Sequence, residues 1–86
     1  MPYAVLLKRS AEKELNCLPK KTHDAVVEHL RSLTGNPRPP GVKKLHGREA
    51  YRVRIGDYRV LYTIDDGEKI VEVVSVAHRR EVYRWP

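Results

Sequence analysis

Residues 51–83 read YRVRIGDYRVLYTIDDGEKIVEVVSVAHRREVY, and this stretch decides the fold. Three runs rich in β-branched and aromatic residues, 51–55, 58–64 and 70–77, are separated by Gly56-Asp57 and Asp66-Gly67. Runs of this kind between glycine-bearing turns form strands. Glycine at the first central position of a two-residue loop suits a type II′ hairpin turn. That turn pairs Ile55 with Tyr58, Arg54 with Arg59 and Arg52 with Leu61. Side chains alternate along a strand, so Arg52, Arg54, Arg59 and Leu61 share one face. Val53, Ile55, Tyr58, Val60 and Tyr62 take the other, which is the natural core face. The last run, with Ile70, Val71, Val73, Val74 and Val76, is apolar almost throughout and reads as a central strand of the sheet.

Upstream, residues 3–7 are short, apolar and aromatic and read as a further strand. Ser10 is placed to cap a helix, with Glu12 in its first turn. Ala11, Leu15 and Leu18 then follow at helical spacing. Pro19 ends that helix or opens the next, whose apolar stripe is Val26, Val27, Leu30 and Leu33. Gly35 is expected to cap its C-terminus. Residues 36–47 hold Pro37, Pro39, Pro40, Gly41 and Gly47 and read as a loop, with Leu45 tucked onto the core. The order strand, helix, helix, three strands predicts an α+β fold. A small antiparallel-rich sheet carries two antiparallel helices on one face, as a single domain over residues 1–86. The other face is left open to solvent or a ligand.

A chain of 86 residues builds only a limited core. Cys17 is the single cysteine, which rules out an intramolecular disulfide and opposes a thiolate zinc site. It is expected as a small buried or half-buried apolar residue. No apolar run is long enough to span a membrane, and the N-terminus lacks a signal-peptide pattern. The expectation is a soluble cytoplasmic protein without membrane partners. The net charge of +6 and pI of about 9.7 point to an anionic partner, nucleic acid being the commonest.

Like charges directly opposite in a sheet repel, so Arg54 against Arg59 with Arg52 beside them calls for an anion. Guanidinium forks match phosphate oxygens in geometry as well as charge. A solvated face with ion pairs to Glu49, Asp57 or Glu72 is the alternative. His78 and Arg79 follow the last strand, and Tyr83 lies four residues beyond. Histidine moves protons near neutral pH, and tyrosine offers a hydroxyl and a stacking face. Singly, His78 also fits a polar strand end and Tyr83 a ring over the core. Lys43-Lys44, like Lys20-Lys21, reads as a solvated pair or as an extension of the cationic footprint along RNA, where Arg80 is also expected. His23, His29 and His46 show no metal-ligand spacing and are expected at the surface. There is no glycine-rich phosphate loop, no Ser-His-Asp set and no paired carboxylates for metal-assisted hydrolysis, so neither metal nor cofactor is expected.

With the loop ending KKLHG, the hairpin YRVRIGDYRVLY and the closing VSVAHRREVY, the whole chain resembles the RelE/ParE toxin superfamily, and its RelE branch more. The resemblance implies the toxin of a type II toxin–antitoxin system, a ribosome-dependent endoribonuclease that cleaves mRNA and is held inactive by a cognate antitoxin in a hetero-oligomer. It places basic active-site functions on Arg52, Arg54, Arg59 and Arg79, an aromatic or acid–base role on Tyr83, and His78 where some relatives carry a histidine. RelE has lysines where this chain has Arg52 and Arg54. Arginine does not act as a base, so proton transfer is expected from His78 or Tyr83. The implied reaction is metal-independent attack of the ribose 2′-hydroxyl on the adjacent phosphate. The alternatives are a ParE-like poison of DNA gyrase and a non-catalytic RNA-binding domain.

Overall fold

The computed structural model describes residues 2–45 and 50–78. Strand β1 (Ala4–Leu7) runs into helix α1 (Arg9–Asn16), and α2 (Lys20–Ser32) follows. The short β2 (Lys43–Lys44), then β3 (Ala50–Ile55), β4 (Tyr58–Asp65) and β5 (Ile70–His78) complete a five-stranded sheet in the order β1-β5-β4-β3-β2. β1 is parallel to β5, and the other neighbours are antiparallel. The expected α+β order is present, with β5 inside the sheet.

The helical spacing read from the sequence is the spacing of the core. Ala11, Leu15, Val26, Leu30 and Leu33 meet Tyr51, Val53, Val60, Tyr62, Val71, Val73 and Val76 in one buried cluster. Fully burying a side chain such as Leu33 or Val26 contributes about 1.5–3 kcal/mol. Leu61 and Ala77 form a small second cluster on the opposite face of the sheet, and Leu45 packs there rather than on the main core.

Four local expectations are corrected. α1 starts at Arg9, with Lys8 and not Ser10 at its cap. Lys8 is still tied to the sheet, its N–H donating to the Val73 carbonyl at 3.0 Å while its own carbonyl accepts from Glu12 N–H at 2.9 Å. Strand pairing therefore sets the helix start, and Ser10 falls inside the first turn. α2 ends at Ser32, without a left-handed glycine cap. Tight turns follow from Leu33 to Asn36, and the Thr34 hydroxyl donates to the Arg31 carbonyl. The loop contains β2, whose Lys43 and Lys44 pair with Arg52 and Tyr51. Cys17, expected to be at least half-buried, is exposed at the C-terminal end of α1.

The apolar run of β5 has a specific cause. Leu61 faces Ser75 but Tyr62 faces Val73, so one residue, Val74, is extra at this point. A bulge of this kind reverses the alternation. Val71 and Val73 reach the helix-side core before it, and Val76 reaches it after. Glu14 of α1 completes the bulge, its carboxylate accepting from the Val76 N–H at 3.0 Å and the Ser75 hydroxyl at 3.3 Å.

Candidate functional site

The hairpin has the register its turn chemistry predicts. Gly56 adopts φ 61, and Arg54 pairs with Arg59, Arg52 with Leu61 and Ile55 with Tyr58. On the face away from the helices, Arg52, Arg54 and Arg59 line a cleft of ≈ 180 Å³ together with Lys43 and Gly41. Arg54 is exposed, whereas Arg52 and Arg59 are half-buried. The Arg54 Nε–H donates to the Gly56 carbonyl at 2.9 Å, which bends this guanidinium back over its own turn. Among the described residues, neither Arg52 nor Arg54 is paired with a carboxylate; Glu49 of the ion-paired alternative lies outside them. The cleft therefore concentrates positive charge in a concave site suited to a phosphodiester.

The loop that delivers Gly41 and Lys43 to this cleft is held from the far end of the sheet. Arg38 grips Asp66 with two hydrogen bonds, at 2.9 and 3.2 Å, and its Nε–H donates to the Tyr51 hydroxyl at 3.2 Å. The guanidinium also lies over the Tyr51 ring, 5.2 Å from its centre. Tyr3 donates to the same Asp66 carboxylate at 2.6 Å, and the Tyr62 hydroxyl donates to the Pro37 carbonyl at 2.9 Å. Hydrogen bonds from Arg38 and then Tyr3 pull the Asp66 carboxyl down to about 2. Burial pushes the Tyr62 phenol up to about 12, so it stays a donor. Arg38 and Asp66 are 28 residues apart, and no sequence pattern flagged the pair.

Of the residues expected at the site, Arg52, Arg54, Arg59 and Lys43 come together. Lys44 alternates away from Lys43 and pairs with Tyr51. His78 does not line the arginine cleft. The bulge carries it to the helix side, where its ring meets Tyr58 edge-on at 5.6 Å and borders a different cleft with Glu14, Cys17 and Leu18. His78 is expected as a proton-transfer residue, and the structure places it on the opposite face of the sheet from the described arginines. Arg79, Arg80 and Tyr83, with His46 and Glu49, lie outside the described residues. Gly41 was missed as a lining residue, although its φ of 93 shows why glycine stands there. A larger cleft of ≈ 350 Å³ between β1 and α2 is apolar, lined by residues such as Val5, Leu7, Val27 and Leu30, and carries no comparable chemistry. Among the described residues, no helix is long and apolar enough to cross a membrane.

The model of the family described as "ParE toxin of type II toxin-antitoxin system, parDE" matches residues 5–83. The protein named toxin RelE of Mycobacterium tuberculosis is 39% identical over 85 residues, spanning 96% of this chain and 88% of its own length. In the RelBE2 toxin–antitoxin complex of the same organism, one chain superposes with a TM-score of 0.80 at 34% identity, covering 92% of this chain and 100% of that one. The archaeal RelE–RelB complex of Pyrococcus horikoshii gives 0.83 at 32% identity, covering 92% and 97%.

Proposed function

Since the chain belongs to the ParE/RelE family of type II toxin–antitoxin toxins, we propose that it is a RelE-like endoribonuclease that cleaves mRNA on the ribosome and so inhibits translation in the cytoplasm. The observation that carries this reading is the cleft of Arg52, Arg54, Arg59 and Lys43 on the open face of the sheet. The scissile phosphate occupies it. Arg52, Arg54 and Arg59, joined by Arg79, hold the non-bridging oxygens and stabilise the charge that grows on them in the transition state. The ribose 2′-oxygen attacks phosphorus, and the products end in a 2′,3′-cyclic phosphate and a 5′-hydroxyl. The reaction is metal-independent in this reading, because a cleft lined by cations repels a further one. Tyr83 stacks on a base or contributes to proton transfer, and Arg80 meets the RNA backbone.

A cognate antitoxin is the second partner. RelB accompanies RelE in both neighbouring complexes. On this chain, β1 is a sheet edge beside the apolar cleft, and Leu6 on it is 50% exposed. Such an edge and cleft suit an extended or helical segment of a partner.

The family model carries the ParE name, so gyrase poisoning is the competing reading. Purified protein is assayed on programmed ribosomes with end-mapping of the mRNA, and in parallel for gyrase–DNA breaks. Arg59→Ala is expected to lower mRNA cleavage about 100-fold or more, the usual effect of removing one oxyanion-stabilising group. Undiminished cleavage by that variant, or trapped gyrase breaks without mRNA cleavage, defeats the proposal.

A further inference from the structure

The 2′-hydroxyl must lose a proton as it attacks, and the arginines that grip the phosphate do not take it. With His78 turned to the helix side, Lys43 is the lining side chain, among the described residues, that carries an amine in place of a guanidinium. Its place is built by the fold. Lys43 stands opposite Arg52 in the β2–β3 register, so the two side chains leave the same face at cross-strand distance. The strand is held where Leu45 N–H donates to the Ala50 carbonyl at 2.8 Å and Val42 N–H to the Pro39 carbonyl at 3.3 Å. Upstream, the Arg38–Asp66 clamp fixes the loop to the sheet. Lys43 is exposed, its ammonium standing at the end of a flexible four-carbon stem beside the row of arginines.

We propose that Lys43 is the general base of the cleavage, a role that rests on the endoribonuclease reading above. The neutral Nζ accepts the 2′-hydroxyl proton while the 2′-oxygen forms its bond to phosphorus. The bond from phosphorus to the 5′-oxygen breaks, and that oxygen leaves with the electron pair and is protonated by solvent water. The Lys43 ammonium then returns its proton to water. Lys43 thus supplies the base that Arg52 and Arg54, as guanidiniums, do not.

Lys43→Arg is the decisive variant, because it keeps the positive charge in the cleft but removes the base. Single-turnover cleavage is measured on saturating programmed ribosomes across neutral to alkaline pH, with Lys43→Met and Arg59→Ala alongside. General-base catalysis is worth roughly 10²–10⁴-fold. Lys43→Arg is expected to lose about 100-fold or more in rate, with little change in ribosome affinity and with the rise of rate with pH abolished. Lys43→Met loses at least as much. Circular dichroism checks that the variants fold, as expected for an exposed side chain on a two-residue strand. Cleavage by Lys43→Arg within about three-fold of wild type, with its pH dependence intact, overturns the proposal and leaves Lys43 a charge only. If Arg59→Ala still fails to cleave in that case, the endoribonuclease reading stands while the base assignment falls. If Arg59→Ala cleaves normally, it is the reading beneath that falls.

Discussion

Glu14 sits 62 residues from Val76 in the chain and accepts its N–H at the β5 bulge. Replacing Glu14 with alanine leaves that N–H and the Ser75 hydroxyl to find other partners. A hydrogen bond to a charged group contributes about 1.5–3 kcal/mol net. The Ser75 bond is long, at 3.3 Å, and adds little. The site is only partly buried, so water recovers some of the loss, and the lower end of the range, ~1.5–2 kcal/mol, is expected. In a domain of this size each kcal/mol shifts the melting temperature by roughly 4–8 °C, so Glu14→Ala should melt about 10 °C below wild type. Glu14→Gln keeps an acceptor oxygen without the charge and should recover about half of the deficit, since a neutral bond is worth about 0.5–1.5 kcal/mol. Thermal unfolding followed by circular dichroism gives the magnitudes, and amide exchange at Val76 gives the location. A Glu14→Ala protein that melts within about 2 °C of wild type, or whose Val76 amide stays as protected, refutes the role assigned to this carboxylate.

Two further outcomes follow from the turn and the clamp. Gly56→Ala meets no atom within 4 Å, so its cost is that of a left-handed alanine, roughly 1–2 kcal/mol by urea unfolding, and a neutral result would mean the turn is not held at φ 61. The Asp66 carboxyl is lowered from 3.8 to about 2 in the fold, so its contribution is complete above the unfolded value and is lost as pH falls through the folded one. Urea midpoints of wild type should fall across that acidic window more steeply than those of Asp66→Asn, with high salt narrowing the gap because the pair is exposed. Equal slopes for the two proteins would dismiss the clamp as a source of stability.

The hairpin was legible in the sequence because its turn is local. Gly56 sets the loop, the loop sets the register, and the register brings Arg54 against Arg59 without help from the rest of the chain. The helices were legible because Ala11, Leu15, Val26, Leu30 and Leu33 recur at the helical period and are the residues that became buried. Ser10 was misleading, because the pairing of the preceding strand with β5 carried the helix start back to Arg9. Cys17 was misread because the end of α1 sits outside the core despite the apolar neighbour Leu18.

By itself, the amino-acid sequence determined the two helices and the strands other than β2, the core face of the helices and of the hairpin, and a row of arginines that repel unless an anion joins them. Period and turn chemistry are properties of neighbouring residues, and these features need nothing more. The tertiary structure alone decided which groups accompany the arginines. A single extra residue in β5, held by a carboxylate from α1, reverses the strand's alternation and sends His78 to the helix side. A loop pinned through Arg38 and Asp66 brings Lys43 to the other face, opposite Arg52. Both depend on contacts between residues far apart in the chain, where no local period or spacing carries the signal.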